Sequence, residues 1–441
     1  MIILEQLFHV DNLSLIMMEL VGFVTLCVAS FSSRYLNGDN KQTSFYLNLI
    51  TLALTIFLMV NADHIGLFLV SWAGSNFFLT RLMLHKSGWE AARQSSILAL
   101  KNFGVGFAFL GAAFLLLYRA TGVVSIQSIV SAPIETSIAI ISGLLLLLAA
   151  MTQSALWPFH RWLTSSLNSP TPVSAIMHAG LVNGGGFLLV RFAPLISKEP
   201  IVLSLIFVAG IATVLIGTLW KLMQSDIKRM LACSTMSQMG FMVVQCGLGL
   251  FPAAIAHLCW HGLFKAYLFL ASGSVAQEKR LDLDYPPSLK HFCLALMCGV
   301  FGAYTFSATR HTEILSGDTT LFLTFLALIA GTQFALSIMR SYSFELPLAF
   351  ATTIIMGSVY GFSVHLIEQP LRTLGISTPQ PLNALHIMAL MILTAAWLFI
   401  LFARNKQKNQ ADWVLKTYVQ MLNASQPHPR TVTAHRNEYQ F

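Results

Sequence analysis

Residues 151–192, MTQSALWPFHRWLTSSLNSPTPVSAIMHAGLVNGGGFLLVRF, decide the fold of this chain. The stretch contains an apolar segment interrupted at Trp157-Pro158, a short polar hinge, a Pro-Thr-Pro helix start and His178 in an otherwise apolar helix. A helix break frees backbone groups that lipid cannot satisfy, and an ionisable residue at membrane depth costs about 2.5–3.5 kcal/mol on insertion scales. Several such features together indicate a membrane protein that moves ions or protons.

The composition excludes a soluble domain, because 56% of the 441 residues are hydrophobic and only 10% are charged. Thirteen apolar runs are long enough to cross a bilayer. They are 12–30, 43–60, 64–83, 96–118, 136–157, 172–195, 201–222, 229–250, 252–277, 289–308, 318–339, 346–367 and 385–403. The sequence therefore predicts an all-α polytopic membrane protein with about 13 transmembrane helices. No basic region with a cleavage site precedes the first run, so we expect it to be a structural span.

The net charge of +8 reflects membrane topology, because most Lys and Arg side chains fall in alternate loops. The positive-inside rule then predicts an external N-terminus and a cytoplasmic C-terminus, with lipid as the surrounding partner and no nucleic acid. The six cysteines lie in apolar runs without paired spacing, which favours free thiols. We expect a transmembrane domain over residues 1–404 and a cytoplasmic amphipathic tail over 405–441.

Two segments are predicted to be discontinuous helices, one over 136–171 and one over 300–315. Interrupted spans in corresponding positions of two halves are typical of inverted-repeat transporters and of their ion sites. In the second segment the apolar run passes into His311 and Glu313 and resumes at Ile314. These two side chains are candidates for proton exchange, although they could simply cap the resumed helix.

His257, His261 and Lys265 are the strongest candidates for a proton pathway. Their i, i+4, i+8 spacing puts them on one helix face, where ionisable groups of a membrane helix should face the protein interior or a hydrated cavity. Structurally hydrogen-bonded or snorkelling side chains are the alternative. Lys101, beside Asn102 in another span, could relay protons or pair with a carboxylate. Further pathway candidates are His178, next to the first break, and Lys228, where interfacial anchoring is the alternative.

No pattern predicts an enzyme active site in this chain. The sequence shows no nucleophile triad, phosphate loop, dinucleotide fingerprint or ligand cluster that completes a metal site, so we expect no cofactor. In the tail, Trp413, Tyr418 and Leu422 belong to an amphipathic helical run. That helix could lie on the membrane surface or form a docking site for a cytoplasmic partner.

The stretches SPTPVSAIMHAG, SDIKRMLACSTMSQMGFM and HLCWHGLFKAYLFLASGSV resemble the antiporter-like membrane subunits of respiratory complex I and Mrp antiporters. The resemblance implies an inverted-repeat core with two discontinuous helices and a mid-membrane chain of ionisable residues that carries protons. His178, Lys228, His257, His261 and Lys265 match positions of that chain, and Glu313 matches the acidic residue after the second break. Ala73 stands where the family has Glu, whereas Gln153 and His311 each stand where it has Lys.

A subfamily is closer, because SWAGSNFFLTRLMLHKSGWEAARQSS and WVLKTYVQMLN resemble DabB, the membrane subunit of the DAB inorganic-carbon uptake system. The resemblance implies a bacterial inner-membrane subunit that passes protons or sodium. It also implies a large cytoplasmic partner, the carbonic-anhydrase-like DabA, which would hold the zinc and carry out the catalysis. Two alternatives stay open at this point: a complex I, hydrogenase-linked or Mrp subunit, and a purely structural membrane anchor.

Overall fold

The computed structural model describes residues 7–273, 286–313, 317–341, 345–402 and 412–432. Eighteen α-helices lie in these ranges, and the β-bridges found there are isolated. The helices are α1 Asn12–Tyr35, α2 Gln42–Asn61, α3 Ile65–Met83, α4 Glu90–Thr121, α5 Ile126–Ser131, α6 Thr136–Gln153, α7 Arg161–Thr164, α8 Thr171–Ala179, α9 Gly184–Arg191, α10 Ala193–Ile196, α11 Pro200–Met223, α12 Ile227–Gly247, α13 Phe251–Leu270, α14 Leu289–Arg310, α15 Thr320–Ser341, α16 Glu345–Leu371, α17 Ala384–Phe402 and α18 Asp412–Ala424. The predicted all-α fold is confirmed.

The helices match the predicted membrane spans one by one. In the described part of the chain, 12 helices are long and apolar enough to cross a membrane. The remaining predicted span, 229–250, is helical as α12 but less apolar, because residues such as Thr235, Ser237 and Gln245 interrupt it. These three side chains are buried in the protein, where α12 packs along α11. Protein contacts in place of lipid contacts explain why this helix tolerates more polar residues.

The described chain forms two compact units. The first contains residues 7–247, 257–273 and 420–432, and the second contains 248–256, 286–313, 317–341, 345–402 and 412–419. The predicted boundary between a membrane domain and a tail at residue 404 lies in residues 403–411, outside the described ranges, and stays a prediction.

In the first unit, the break predicted at Trp157-Pro158 is confirmed. Helix α6 ends at Gln153, and Ala155 adopts a positive φ of 52°, a conformation that ends helices. The chain re-forms only the four-residue helix α7 before α8 begins with a Pro in its first turn. Proline is tolerated there because its missing N–H would have no partner in the helix.

The span Thr171–Arg191 has an interruption that the sequence analysis missed. Helix α8 ends at Ala179, and the 3-10 turn Leu181–Asn183 separates it from α9. Its most apolar stretch is entirely buried, so water cannot satisfy the freed carbonyls. Side chains of the first break satisfy them instead: Ser154 Oγ donates to Val182 O at 2.7 Å, and Gln153 Nε2 donates to Leu181 O at 3.4 Å.

Gly185 is what allows this close approach between the two interrupted helices. A Cβ at this position would lie 2.3 Å from Ser154 Oγ and 2.5 Å from the carbonyl oxygen of Ala150. Any larger residue would therefore force α9 away from α6 and remove the hydrogen bonds between the breaks. Gly185 is thus a packing requirement of the contact between the two helix breaks.

A hydrogen-bonded side-chain pair joins two loops of the first unit, the α1–α2 loop and the α3–α4 loop. His85 Nε2 lies 2.9 Å from Asp39 Oδ2, and the backbone N–H of Lys41 donates to Asp39 Oδ1 at 2.8 Å. Burial alone would raise the pKa of Asp39, but these hydrogen bonds outweigh it and hold the pKa below its ordinary value of 3.8. The pair fixes the two helical hairpins against each other at this end.

The second unit is built around α14, which packs against α15 and α16. Buried residues of these helices, including Ala295, Cys298, Leu336 and Ala349, form its apolar core. Helix α14 ends at Arg310, and the next described helix, α15, begins at Thr320. The helix therefore stops where the second interruption was predicted. Its expected resumption at Ile314 lies outside the described residues.

Candidate functional site

A hydrogen-bonded series of polar groups lies in the interior of the first unit. His178 Nδ1 is 3.0 Å from Thr235 Oγ1, which itself donates to the carbonyl oxygen of Leu231 at 3.0 Å. Lys265 Nζ donates to the same carbonyl at 3.4 Å. Because the threonine proton is committed to Leu231, the hydroxyl accepts from His178 Nδ1–H, which assigns the histidine tautomer. His178 and Lys265 are 1% and 2% exposed, so both are shielded from bulk water.

His257 and His261 continue this polar region along α13. Their rings are stacked with centroids 6.0 Å apart, and both side chains are buried. His257 is hydrogen-bonded to the backbone of Gln238, but its Nε2 and both ring nitrogens of His261 have no partner among the described residues. Buried ring nitrogens without protein partners cost free energy, which argues against a purely structural role. The predicted common face of His257, His261 and Lys265 is therefore an interior face.

Lys228 lies at the start of α12, where its Nζ donates to the carbonyl oxygen of Ser169 at 3.3 Å. Ser169 precedes α8, the helix that carries His178, so Lys228 is attached to the same part of the first unit. Its side chain is half-buried, and its role in the proton pathway, like the alternative of an interfacial anchor, stays a prediction.

The C-terminal segment 425–431 packs onto the loop that contains Ser169. Asn168 Nδ2 donates to Thr431 O at 2.7 Å, and His428 N donates to Ser165 Oγ at 2.9 Å. Gln224 and Arg229 hold the same segment through Ser425 and Gln426. Side chains of both ends of the segment are buried, so it is a packed part of the first unit.

Gln153 pairs with Asn76 at the first helix break. Their amides form two reciprocal hydrogen bonds of 2.9 and 3.1 Å, and both side chains are 2% exposed. A neutral amide pair thus occupies the position where the resemblance leads one to expect a lysine. Ala73, the position of the expected glutamate, lies on the exposed side of the same helix α3.

Lys101 is the one predicted pathway residue of the first unit that lies away from the polar series. Its side chain is exposed, whereas the neighbouring Asn102 points inward and donates to Thr152 O at 2.9 Å. That contact places Lys101 at the level of the first break but on the outer surface of the unit. Its role in proton transfer stays a prediction.

The second unit contains the predicted pair His311 and Glu313, both exposed. Glu313 makes no ion pair with a described residue, and the role of His311 and Glu313 in proton exchange stays a prediction. The neighbouring ion pair is formed instead by Arg310 and Glu368, with Nη2 and Oε1 2.7 Å apart. Sequence reasoning missed Glu368 because the partners are 58 residues apart.

Thr235 and Asn76 were also missed by the sequence analysis. Each is a buried polar residue of a long helix, and each contacts a residue that the sequence had singled out. Polar residues inside otherwise apolar spans are the signal that could have found them.

The amphipathic run predicted in the tail is helical as α18, Asp412–Ala424. Trp413 is 70% exposed and Tyr418 is 46% exposed, while Leu422 is half-buried. The helix thus presents aromatic side chains on its surface. Their role in docking a partner stays a prediction.

The described residues contain no group of three or more His, Cys, Asp or Glu side chains arranged to hold a metal ion. The polar series offers bases, namely one amine and three imidazoles, and no carboxylate of a described residue is hydrogen-bonded to them. Such a set can accept and release protons, and it lacks the oxygen ligands that hard metal ions prefer.

Residues 62–306 match the family model described as NADH:quinone oxidoreductase/Mrp antiporter, TM, and residues 4–46 match the N-terminal model of complex I chain 5. One chain of the Mrp complex from Dietzia sp. DQ12-45-1b has the same fold, with a TM-score of 0.60 at 20% identity over 95% of this chain and 48% of that chain. NADH-ubiquinone oxidoreductase chain 5 of Schizophyllum commune is 36% identical over 61% of this chain and 40% of its own length.

The Bacillus subtilis protein named "Probable inorganic carbon transporter subunit DabB" is 32% identical over 97% of this chain and 85% of its own length. DabB1 of Halothiobacillus neapolitanus, of the same description, is 38% identical over 64% of this chain. The aligned residues make up 52% of the length of DabB1, so this chain matches about half of that relative.

The interrupted helices and the buried bases define a multi-pass membrane subunit of the antiporter type. The chain belongs to the antiporter-like membrane subunit family that complex I and Mrp antiporters share. Within that family it belongs to the DabB inorganic carbon transporter subunits, as its similarity to DabB over nearly its whole length indicates.

Proposed function

We propose that this chain conducts protons across a bacterial inner membrane and thereby energises a cytoplasmic partner that accumulates inorganic carbon. The observation that carries the proposal is the buried series His178, Thr235 and Lys265, together with His257 and His261. No carboxylate among the described residues pairs with the buried lysine or the buried histidines, and such groups are costly to place in a membrane protein. Proton transfer is a function that explains why the chain retains them.

The coupling ion is a proton on this proposal, and sodium is the alternative. Sodium is a hard cation that needs several oxygen ligands, whereas the interior series presents nitrogen bases. Lys265 forms no ion pair with a carboxylate among the described residues, so nothing there offers sodium a charged oxygen. The DabB names of the relatives support inorganic carbon as the substrate of the whole system.

The partner on this proposal is a large DabA-like protein whose own zinc site converts CO2 to bicarbonate. The alternating distribution of Lys and Arg supports an external N-terminus and a cytoplasmic C-terminus. The exposed aromatic residues of α18 would then face the cytoplasm, where a groove of the partner could accept an amphipathic helix. Segment 425–431 follows directly and is held near Lys228, which would connect docking with the proton series.

The first experiment measures inorganic carbon accumulation in cells that lack other uptake systems and express this chain with its partner. Lys265→Ala should lower accumulation at least about 100-fold, the scale of losing a positioned acid or base. Lys290→Ala removes an exposed lysine and should have no effect. An uncoupler should abolish uptake by the unmutated protein. Undiminished uptake by Lys265→Ala would refute proton conduction through this series.

The second experiment tests docking. The double variant Trp413→Ser and Tyr418→Ser should insert normally but no longer co-purify with the partner, because its exposed aromatic contacts are lost. Lys416→Ala, which removes an exposed non-aromatic side chain of the same helix, is the control. Full co-purification of the double variant would move the docking surface to the cytoplasmic loops.

A further inference from the structure

The C-terminal end of α14 in the second unit carries a backbone feature that fixes one histidine. His311 ends the helix in the left-handed conformation, with φ 58°, and its N–H bonds to the carbonyls of Ala308 and Ser307. Ser307 Oγ also donates to Thr312 O at 2.8 Å. A residue other than glycine pays about 1 kcal/mol or more for this conformation, and such positions cluster at functional sites.

The imidazole held in this way contacts a second histidine on α16. The ring centroids of His311 and His365 are 4.8 Å apart, and the rings meet edge to face. The amide of Gln369, one helical turn further on, lies 2.9 Å from His365 Nε2. His365 Nδ1 is buried and has no hydrogen-bond partner among the described residues. The pair therefore has an accessible member, His311, and an inner member whose hydrogen-bonding capacity is incompletely used.

An ion pair between Arg310 and Glu368 lies next to the two histidines. Arg310 precedes His311, and Glu368 lies one turn after His365. The guanidinium contacts both carboxylate oxygens at 2.7–3.2 Å, and the side chains are only 5% and 13% exposed. Since Glu368 neutralises Arg310, the histidines do not face an unpaired arginine.

The other titratable groups near the pair are few. Tyr360 on α16 is close enough to interact with both Arg310 and Glu368, and Glu313 is exposed two residues after His311. Helix α15, which also packs against α14, has no titratable side chain from Thr320 to Met339.

We propose that His311 and His365 form a proton-exchange pair, and that Arg310 and Glu368 are positioning residues for it. This inference rests on the proposed function and extends it. It replaces the carboxylate expected at Glu313 with a second imidazole and assigns Glu368 a fixed, charged role. In the orientation proposed above, this end of α14 faces away from the cytoplasm, so the pair would take up protons on the side where their concentration is high.

The experiment measures proton flux into proteoliposomes that contain this chain and its partner, from pH 5.5 to 8.5. His311→Gln and His365→Gln should each lower the flux about tenfold and flatten its pH profile, since glutamine cannot exchange a proton in this range. His291→Gln removes an exposed histidine of the same helix and is the control. Glu368→Gln should reproduce the loss, and Glu368→Asp should partly restore it. Profiles of both histidine variants that superimpose on the wild type would overturn the proposal.

A second measurement is independent of transport. Mass spectrometry can follow the pH dependence of His365 modification by diethyl pyrocarbonate in the purified protein. In His311→Gln the midpoint should differ from the wild type by at least about half a pH unit, because two contacting sites titrate together. An unchanged midpoint would refute the pair even where flux is reduced. Absence of proton flux in the wild type would refute the proposed function. The pH midpoint of His365 modification would then test the His311–His365 pair without the flux data.

Discussion

Two buried polar regions of the first unit differ in charge and in how completely their hydrogen-bonding groups are paired. At the first break, the amides of Asn76 and Gln153 satisfy each other, and Gln153 and Ser154 satisfy carbonyls of the second interruption. In the other region, Lys265 and Thr235 both donate to the carbonyl oxygen of Leu231, and His178 contacts the Thr235 hydroxyl. The ring nitrogens of His261 have no partner among the described residues. The first region is neutral and well satisfied, so it stabilises the broken helices. The second is titratable and incompletely satisfied, which is a cost that only function explains.

The largest expected effect separates charge from proton exchange in the titratable region. Lys265→Arg keeps the positive charge but cannot deprotonate in the working pH range, so uptake should fall about 100-fold, as for Lys265→Ala. The measurement is inorganic carbon accumulation normalised to membrane-inserted protein, with Lys290→Arg as the control. Uptake by Lys265→Arg at the wild-type rate would show that a fixed positive charge suffices. It would refute the assignment of proton exchange to the titratable region.

The next prediction introduces charge into the neutral region. Gln153→Lys places an unpaired cation in a buried site and should destabilise the protein by about 3–5 kcal/mol. Adding Asn76→Asp supplies a carboxylate directly opposite and should recover most of that loss. Thermal unfolding in detergent measures all four members of the cycle. A coupling free energy near zero would show that the amides of the pair do not determine each other's environment.

A smaller effect is expected from Thr235, which links His178 to the carbonyl that Lys265 shares. Thr235→Val keeps the shape but removes the hydroxyl, so proton flux should fall about tenfold while the protein still folds. Thr235→Ser restores the hydroxyl and should recover most of the flux. Equal flux in the valine and serine variants would remove Thr235 from the series.

The smallest effect concerns the Asp39–His85 pair, a structural contact against which the titratable region can be compared. The pKa of Asp39 is held below 3.8, so its stabilisation is present above that pH and is lost as the pH falls through the lowered value. Asp39→Asn weakens the hydrogen bonds to His85 and Lys41, so it should lower the free energy of unfolding at pH 6 by about 1 kcal/mol, the scale of a hydrogen bond. The difference from the wild type should shrink below pH 4. A constant difference from pH 6 to pH 3 would contradict this assignment.

The sequence predicted the spans, the first break and the common face of His257, His261 and Lys265, and each is found in the described residues. These features depend on hydropathy, helix breakers and the 3.6-residue period, which are local properties. The interruption at Gly180 was missed because its signal, a glycine next to a small 3-10 turn, is weak without a neighbouring helix. Glu368, the partner of Arg310, was missed because it lies on another helix, 58 residues further along the chain.

The sequence by itself determined that this chain spans a membrane many times and that ionisable residues are placed inside it. Those properties follow from composition and from the free-energy cost of charge in lipid, which any fold must meet. Only the tertiary structure decided which polar groups meet: Gln153 with Asn76, His178 with Thr235, and Arg310 with Glu368. Hydrogen bonds act over about 3 Å. Partners that are 57 to 77 residues apart in the chain come within that distance only when the helices pack.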